Sequence, residues 1–174
     1  FEDIIDLHRT VMEVEMAHNL RRDYDQARNK LSDPLRQIIE RGRKRLAADY
    51  CAAVARIASF NDALDSVFSE YDAILTPAAP GPAPRGLQST GNPIFCTIWT
   101  YLGTPALSLP LIQSEAGMPI GVQLVGRRGG DARLLRTARS LVKTLAKTKG
   151  RRAANAREAA PKPASPRATR RRTP

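Results

Sequence analysis

Two cysteines, two histidines, one tryptophan and an aromatic share of 5% leave this 174-residue chain short of the side chains that most often carry chemistry. Cys51 and Cys96 stand alone with no C-x-x-C spacing, which argues against a disulfide framework or a zinc knuckle; two buried, reduced thiols are expected. His8 and His18 lie ten positions apart, some 80° around a helix axis, and neither has a second His four residues away. Glu15 and His18 make one Glu-x-x-His pair, but the helical di-iron sites built from that unit need two, so no metal is expected. A nucleophile elbow G-x-S-x-G, a P-loop and a G-x-G-x-x-G turn are all missing, and with them any expectation of a bound cofactor. No apolar run approaches the roughly 18 residues needed to cross a bilayer, and the start FEDIIDLHRT has no signal-peptide pattern. A cytoplasmic chain with no membrane span is expected.

Charge is plentiful but unevenly placed. The net charge of +11 comes almost wholly from the end of the chain: eleven bases and the single acid Glu158 follow Val142, while the first 142 residues hold 17 bases against 16 acids. From about Thr148 the sequence is Ala, Pro, Lys and Arg with no large apolar side chain, so nothing offsets the entropy of ordering it, and residues 147–174 are expected to be a disordered basic tail. Such a tail suits nucleic acid or another anionic surface, although it lacks aromatics to stack on bases. One domain over residues 1–146 plus this tail is the expected organisation. The first residue is Phe1, and the apolar pattern is already running at Ile4 and Ile5, which suggests a piece of a longer polypeptide.

Ile4, Leu7, Val11 and Val14 recur at helical spacing and predict an amphipathic helix over about 2–30. Asp33-Pro34 reads as a cap and first turn, with Gly42 ending or bending the helix it opens. Beyond RGRKR, the positions Tyr50, Val54, Ile57, Asn61, Leu64 and Phe68 predict one buried face of a third helix, its cap weakened by Leu46. DAILTP (72–77) predicts a short buried strand, and PAAPGPAPRGLQSTG a loop of polyproline character. PIFCTIWTYL predicts a helix closed by Gly103 and, being apolar all round, buried. Leu107, Leu109 and Leu111, then PIGVQLVG, alternate as two neighbouring strands, the first marked by Pro105 and Pro110 for an edge or for irregular pairing. The bend RRGGD places Arg127 and Arg128 beside the start of a last helix at Asp131; an anion site or a plain exposed turn explains them equally well.

Taken in order, EYDAILTPAAPGPAP, TGNPIFCTIWTYLGTPALSLPL, GMPIGVQLVG and GGDARLL, at these separations, closely resemble the C-terminal part of the amidase signature family, and residues 10–72 are similar to the helical segment preceding those phrases. The resemblance covers about 1–146. It implies an α/β class, a partial amidase-signature fold in which a mixed sheet with flanking helices lacks its N-terminal half. It also implies hydrolysis of carboxamides to carboxylate and ammonia by a Ser nucleophile, a second Ser in a cis peptide and a Lys, all carried in the N-terminal half in a Gly-Ser-Ser-Gly-rich segment. No such segment is present here, so no Ser or Lys of this chain is assigned to the triad and the chain alone is expected to be inactive. The missing half or a partner subunit would supply it.

By the same resemblance, YDAILTP, PALSLPL and PIGVQLVG are strands of the central sheet, and PIFCTIWTYL helps enclose the substrate cavity. Thr97, Ile98 and Trp99 are the expected substrate-facing residues, core packing being the competing role of Trp99. Hydroxyls of Thr97, Thr100 and Thr104 would satisfy backbone carbonyls or line that cavity. In glutamine-using relatives an Asp that recognises the substrate amino group aligns with Pro93; without that charge an uncharged aliphatic or aromatic amide is the expected substrate. An orphaned lobe kept as an interaction scaffold is the competing class of function.

Overall fold

The computed structural model describes residues 2–158, with side chains through Thr148. The described chain divides into two units, the first ending at Ala138 and the second beginning at Arg139. In order along the chain, the elements are α1 (Ile4–Asn19), α2 (Arg21–Ala27), a single 3-10 turn (Arg28–Lys30), α3 (Asp33–Gly42), α4 (Ala47–Glu70), β1 (Ile74–Pro77), α5 (Ile94–Leu102), β2 (Ala106–Gln113), β3 (Pro119–Val125) and α6 (Asp131–Glu158).

The helix expected over 2–30 is broken at Leu20, and α2 is held by side chains of later elements. Tyr24 donates a 2.7 Å hydrogen bond to Glu40 of α3, and the Arg43 guanidinium lies 4.2 Å from the centre of the Tyr24 ring. Gly42 ends α3 as expected, for a reason spacing could not show: α1 passes so close that a Cβ there would sit 1.9 Å from the Glu13 carbonyl oxygen. α4 begins after Leu46 with no side-chain cap, but its buried face is Ala53, Phe60, Leu64 and Phe68 rather than the stripe through Tyr50 and Val54. Val54 is 39% exposed, because the small Ala53 is what meets Tyr101, whose hydroxyl donates to the Ala53 carbonyl.

The sheet order is β1-β3-β2, antiparallel throughout, with Ile74 opposite Val125 on one side of β3 and Ala106 opposite Val125 on the other. A mixed sheet is implied for the whole family fold; the three strands of this chain carry an antiparallel part of an α/β arrangement. β2 is an edge strand among the described residues, and its register slips between Leu109 and Ile112, the stretch that contains Pro110, so both readings of its prolines hold. Ile4, Phe60, Leu64, Phe68, Tyr101, Leu102 and Val125 form the core, where α1, α4, α5 and β3 meet. Each large apolar side chain so buried contributes about 1.5–3 kcal/mol.

Three expectations need correction. Cys51 and Cys96 are free but exposed; Cys96 turns towards the sheet, where it meets Gln123 and the Ala78 carbonyl, yet no neighbouring element covers it. α5 is not buried all round: Tyr101 and Leu102 are, whereas Ile94 is 38% exposed and Cys96 and Thr100 are exposed, because α1 and α4 cover one side only. Past residue 146 the backbone of α6 continues as helix to Glu158; the rest of the expected tail, 159–174, lies outside the described residues.

Candidate functional site

The chemistry that sequence reasoning placed on α5 depends on how that helix is seated. Asn92 accepts the backbone N–H of Ile94 at 3.0 Å, fixing its first turn, and Gly103 closes it with φ +65°, a left-handed conformation that favours glycine. Thr97 and Thr100 donate to the carbonyls four residues back, Pro93 at 3.1 Å and Cys96 at 3.0 Å, so both hydroxyls satisfy local backbone. Thr104 differs: its buried Oγ1 has no hydrogen-bond partner among the described residues.

Gln123, in the middle strand and only 4% exposed, ties the helix to the sheet. Its amide nitrogen donates to the Phe95 carbonyl at 3.0 Å and to the Thr76 hydroxyl at 3.4 Å, and its amide oxygen lies 3.6 Å from Cys96 Sγ, which also contacts the Ala78 carbonyl at 3.6 Å. One side chain thus joins β1, β3 and α5, and these bonds offset the desolvation of a buried amide. Sequence reasoning missed it, although a lone amide inside the apolar run GVQLV is the signal that marks it. Gly121 permits the strand contact beside it: a Cβ there would fall 2.3 Å from Ser108 Oγ.

Thr97, Ile98 and Trp99 are half-buried, and Ile98 and Trp99 pack against the core. The triplet therefore stands on a helix seated against the core. Next to it a cleft of about 390 Å³ opens between α1, α4 and α5, lined by His8, Met12, Met16, Ile57, Thr100 and Tyr101 among others. His8 meets the Tyr101 ring edge-on, 6.5 Å between centres, and burial, helped by nearby Arg9, pushes its pKa below the ordinary value. His18 is exposed, and among the described residues no cluster of His, Cys, Asp and Glu could hold a metal ion.

Arg127 of the RRGGD bend is not free for an anion. It makes a two-pronged pair with Asp65 at 2.8 and 2.9 Å, leaving exposed Arg128 in a cleft of about 530 Å³ with Asn61 and Gly130. Among the described residues no helix is long and apolar enough to cross a membrane.

The chain is similar in sequence and in fold to known proteins. A glutamyl-tRNA(Gln) amidotransferase subunit from Thermotoga maritima is 35% identical over 136 residues, covering 71% of this chain and 28% of its own length. The corresponding subunit from Agathobacter rectalis is 38% identical over 104 residues, 56% of this chain and 21% of its own. A crystal structure of an amidase superposes with a TM-score of 0.69 at 27% identity, over 77% of this chain and 33% of that one. The chain therefore spans about a third or less of the proteins it matches. With the Amidase family profile matching residues 3–135, most of the described fold, the chain belongs to the Amidase family.

Proposed function

We propose that residues 1–146 are the C-terminal lobe of an amidase that hydrolyses carboxamide C–N bonds to carboxylate and ammonia. The observation that carries this reading is the family match over residues 3–135, which includes α5 with its cap, its glycine stop and its seat on Gln123. In this reading the lobe contributes sheet core and pocket wall. Thr97, Ile98 and Trp99 form the substrate-facing part of the wall, and Trp99 keeps part of its ring against the core while offering the rest to an apolar acyl group.

The nucleophile comes from elsewhere. The sequence has no Gly-Ser-Ser-Gly-rich segment, so no side chain of this chain is placed to form an acyl-enzyme, and the lobe alone does not turn over amides. Its partner is the missing half, in the same polypeptide or in a separate subunit. Pro93 offers no charge to a substrate ammonium at the start of α5, which favours uncharged aliphatic or aromatic amides.

The test is a graft. Replacing the matching C-terminal segment of an active amidase by residues 3–135 should give a chimera that releases ammonia from simple amides, and Trp99→Ala in it should raise KM for the bulkier ones. A folded chimera with no activity, or ammonia release by the unfused chain above buffer background, would refute the proposal.

A further inference from the structure

We infer that the second unit, from Arg139 onward in α6, is a docking face for anionic lipid. Arg139, Lys143 and Lys147 recur every four residues and are exposed, so they form a single stripe spanning roughly 80° of the helix circumference. Among the described residues none of the three has a carboxylate partner, whereas Arg28, Arg41, Arg43, Arg45, Arg56, Arg127 and Arg133 each face one. Among the described residues nine of the sixteen bases before Arg139 face an acid, whereas none of these three does.

Beside that stripe, within roughly the next 120° of helix surface, stand Val142, Leu145 and Ala146. Val142 is 41% and Leu145 37% exposed. A basic sector bordered by an exposed apolar one is the pattern of a helix lying in a lipid interface, the cations on headgroup phosphates and the apolar side chains at the acyl boundary. Lys149, Arg151 and Arg152 continue the basic run in the sequence. Nucleic acid fits less well, because phosphate contacts need only the bases and would leave Val142 and Leu145 in water. Residues 139–174 also contain no aromatic side chain to stack on bases.

The full chain should float with vesicles containing about one third phosphatidylglycerol and stay at the bottom with pure phosphatidylcholine, losing the lipid in about 0.5 M salt. K143Q with K147Q should lower the bound fraction about tenfold, and V142Q with L145Q about fivefold at unchanged charge. Gln keeps helix propensity, and far-ultraviolet circular dichroism checks each variant. If one misfolds, the lipid and salt comparisons on the unaltered chain decide. No flotation, equal flotation with neutral lipid, a salt-insensitive interaction, or binding indifferent to Val142 and Leu145 overturns the inference. So does duplex DNA that strips the chain from vesicles while V142Q with L145Q leaves its own DNA affinity unchanged.

Discussion

Arg45 donates two hydrogen bonds, 2.8 and 3.0 Å long, to Oε2 of Glu13, a carboxylate from α1 that is wholly removed from solvent. Arg41 takes the other oxygen at 2.6 Å. The three side chains pin α1 to the end of α3 and to the turn that follows it. Glu13→Ala should cost about 3 kcal/mol, read as a lower denaturant midpoint, since both guanidiniums lose a buried partner. The loss is held near the low end for a buried pair because Arg41 and Arg45 keep 52% and 34% of their side chains in solvent.

Gly42→Ala should be at least as damaging. The added methyl meets the backbone oxygen of Glu13, which cannot swing aside as a side chain would, so α1 and α3 must separate. A loss of about 3 kcal/mol is expected, against little change for Gly81→Ala, where no atom lies within 4 Å. Thermal melts of the two variants side by side make the comparison.

Two groups should shape the pH dependence of stability. His8 has its pKa lowered in the fold, chiefly by burial, so the unfolded chain binds the proton first and stability falls as pH drops through the ordinary histidine value of 6.5. Glu13 moves by a different balance: burial alone would raise it, but the hydrogen bonds and charges of Arg41 and Arg45 prevail and hold it below 4.5. Its contribution is full above that value and is lost as pH falls towards the folded pKa. Stability measured from pH 7.5 downward should decline in two stages, and His8→Gln should remove the upper one.

Much of this was legible beforehand, and the exceptions share a cause. Helix stops at Gly42 and Gly103, the strands in DAILTP and PIGVQLVG and the irregular pairing at Pro110 follow from local chemistry that one sequence displays. The break at Leu20, the choice of Ala53 over Val54 and the exposure of Cys51 and Cys96 are decided by partners distant in the chain, and apolar spacing does not name partners. Gln123 and Glu13 were hidden in the same way. Each is a polar side chain in an apolar stripe, which marks the position, but its role appears only once Phe95 and Thr76, or Arg41 and Arg45, are known to reach it.

Gln123→Leu should loosen α5 from the sheet. It removes the side-chain donor that ties the Phe95 carbonyl to the sheet and should cost about 1 kcal/mol, with faster hydrogen exchange in Ile94–Leu102 than in α4.

Thr104→Val should do the opposite. The hydroxyl is buried and makes no bond among the described residues, so an apolar side chain of similar shape is expected to stabilise the fold by about 1 kcal/mol, seen as a higher melting midpoint.

The order β1-β3-β2 also sets a sequence of events for the nascent sheet. β2 and β3 are separated by one tight connection and can zip together locally, whereas β1 must wait for residues 78–118, with α5 among them, to be gathered in before it finds β3. The four-residue β1 is thus the last strand to arrive and the first to leave, so a protease reaching a transiently opened molecule would cut near Ile74 while the β2–β3 hairpin was still closed.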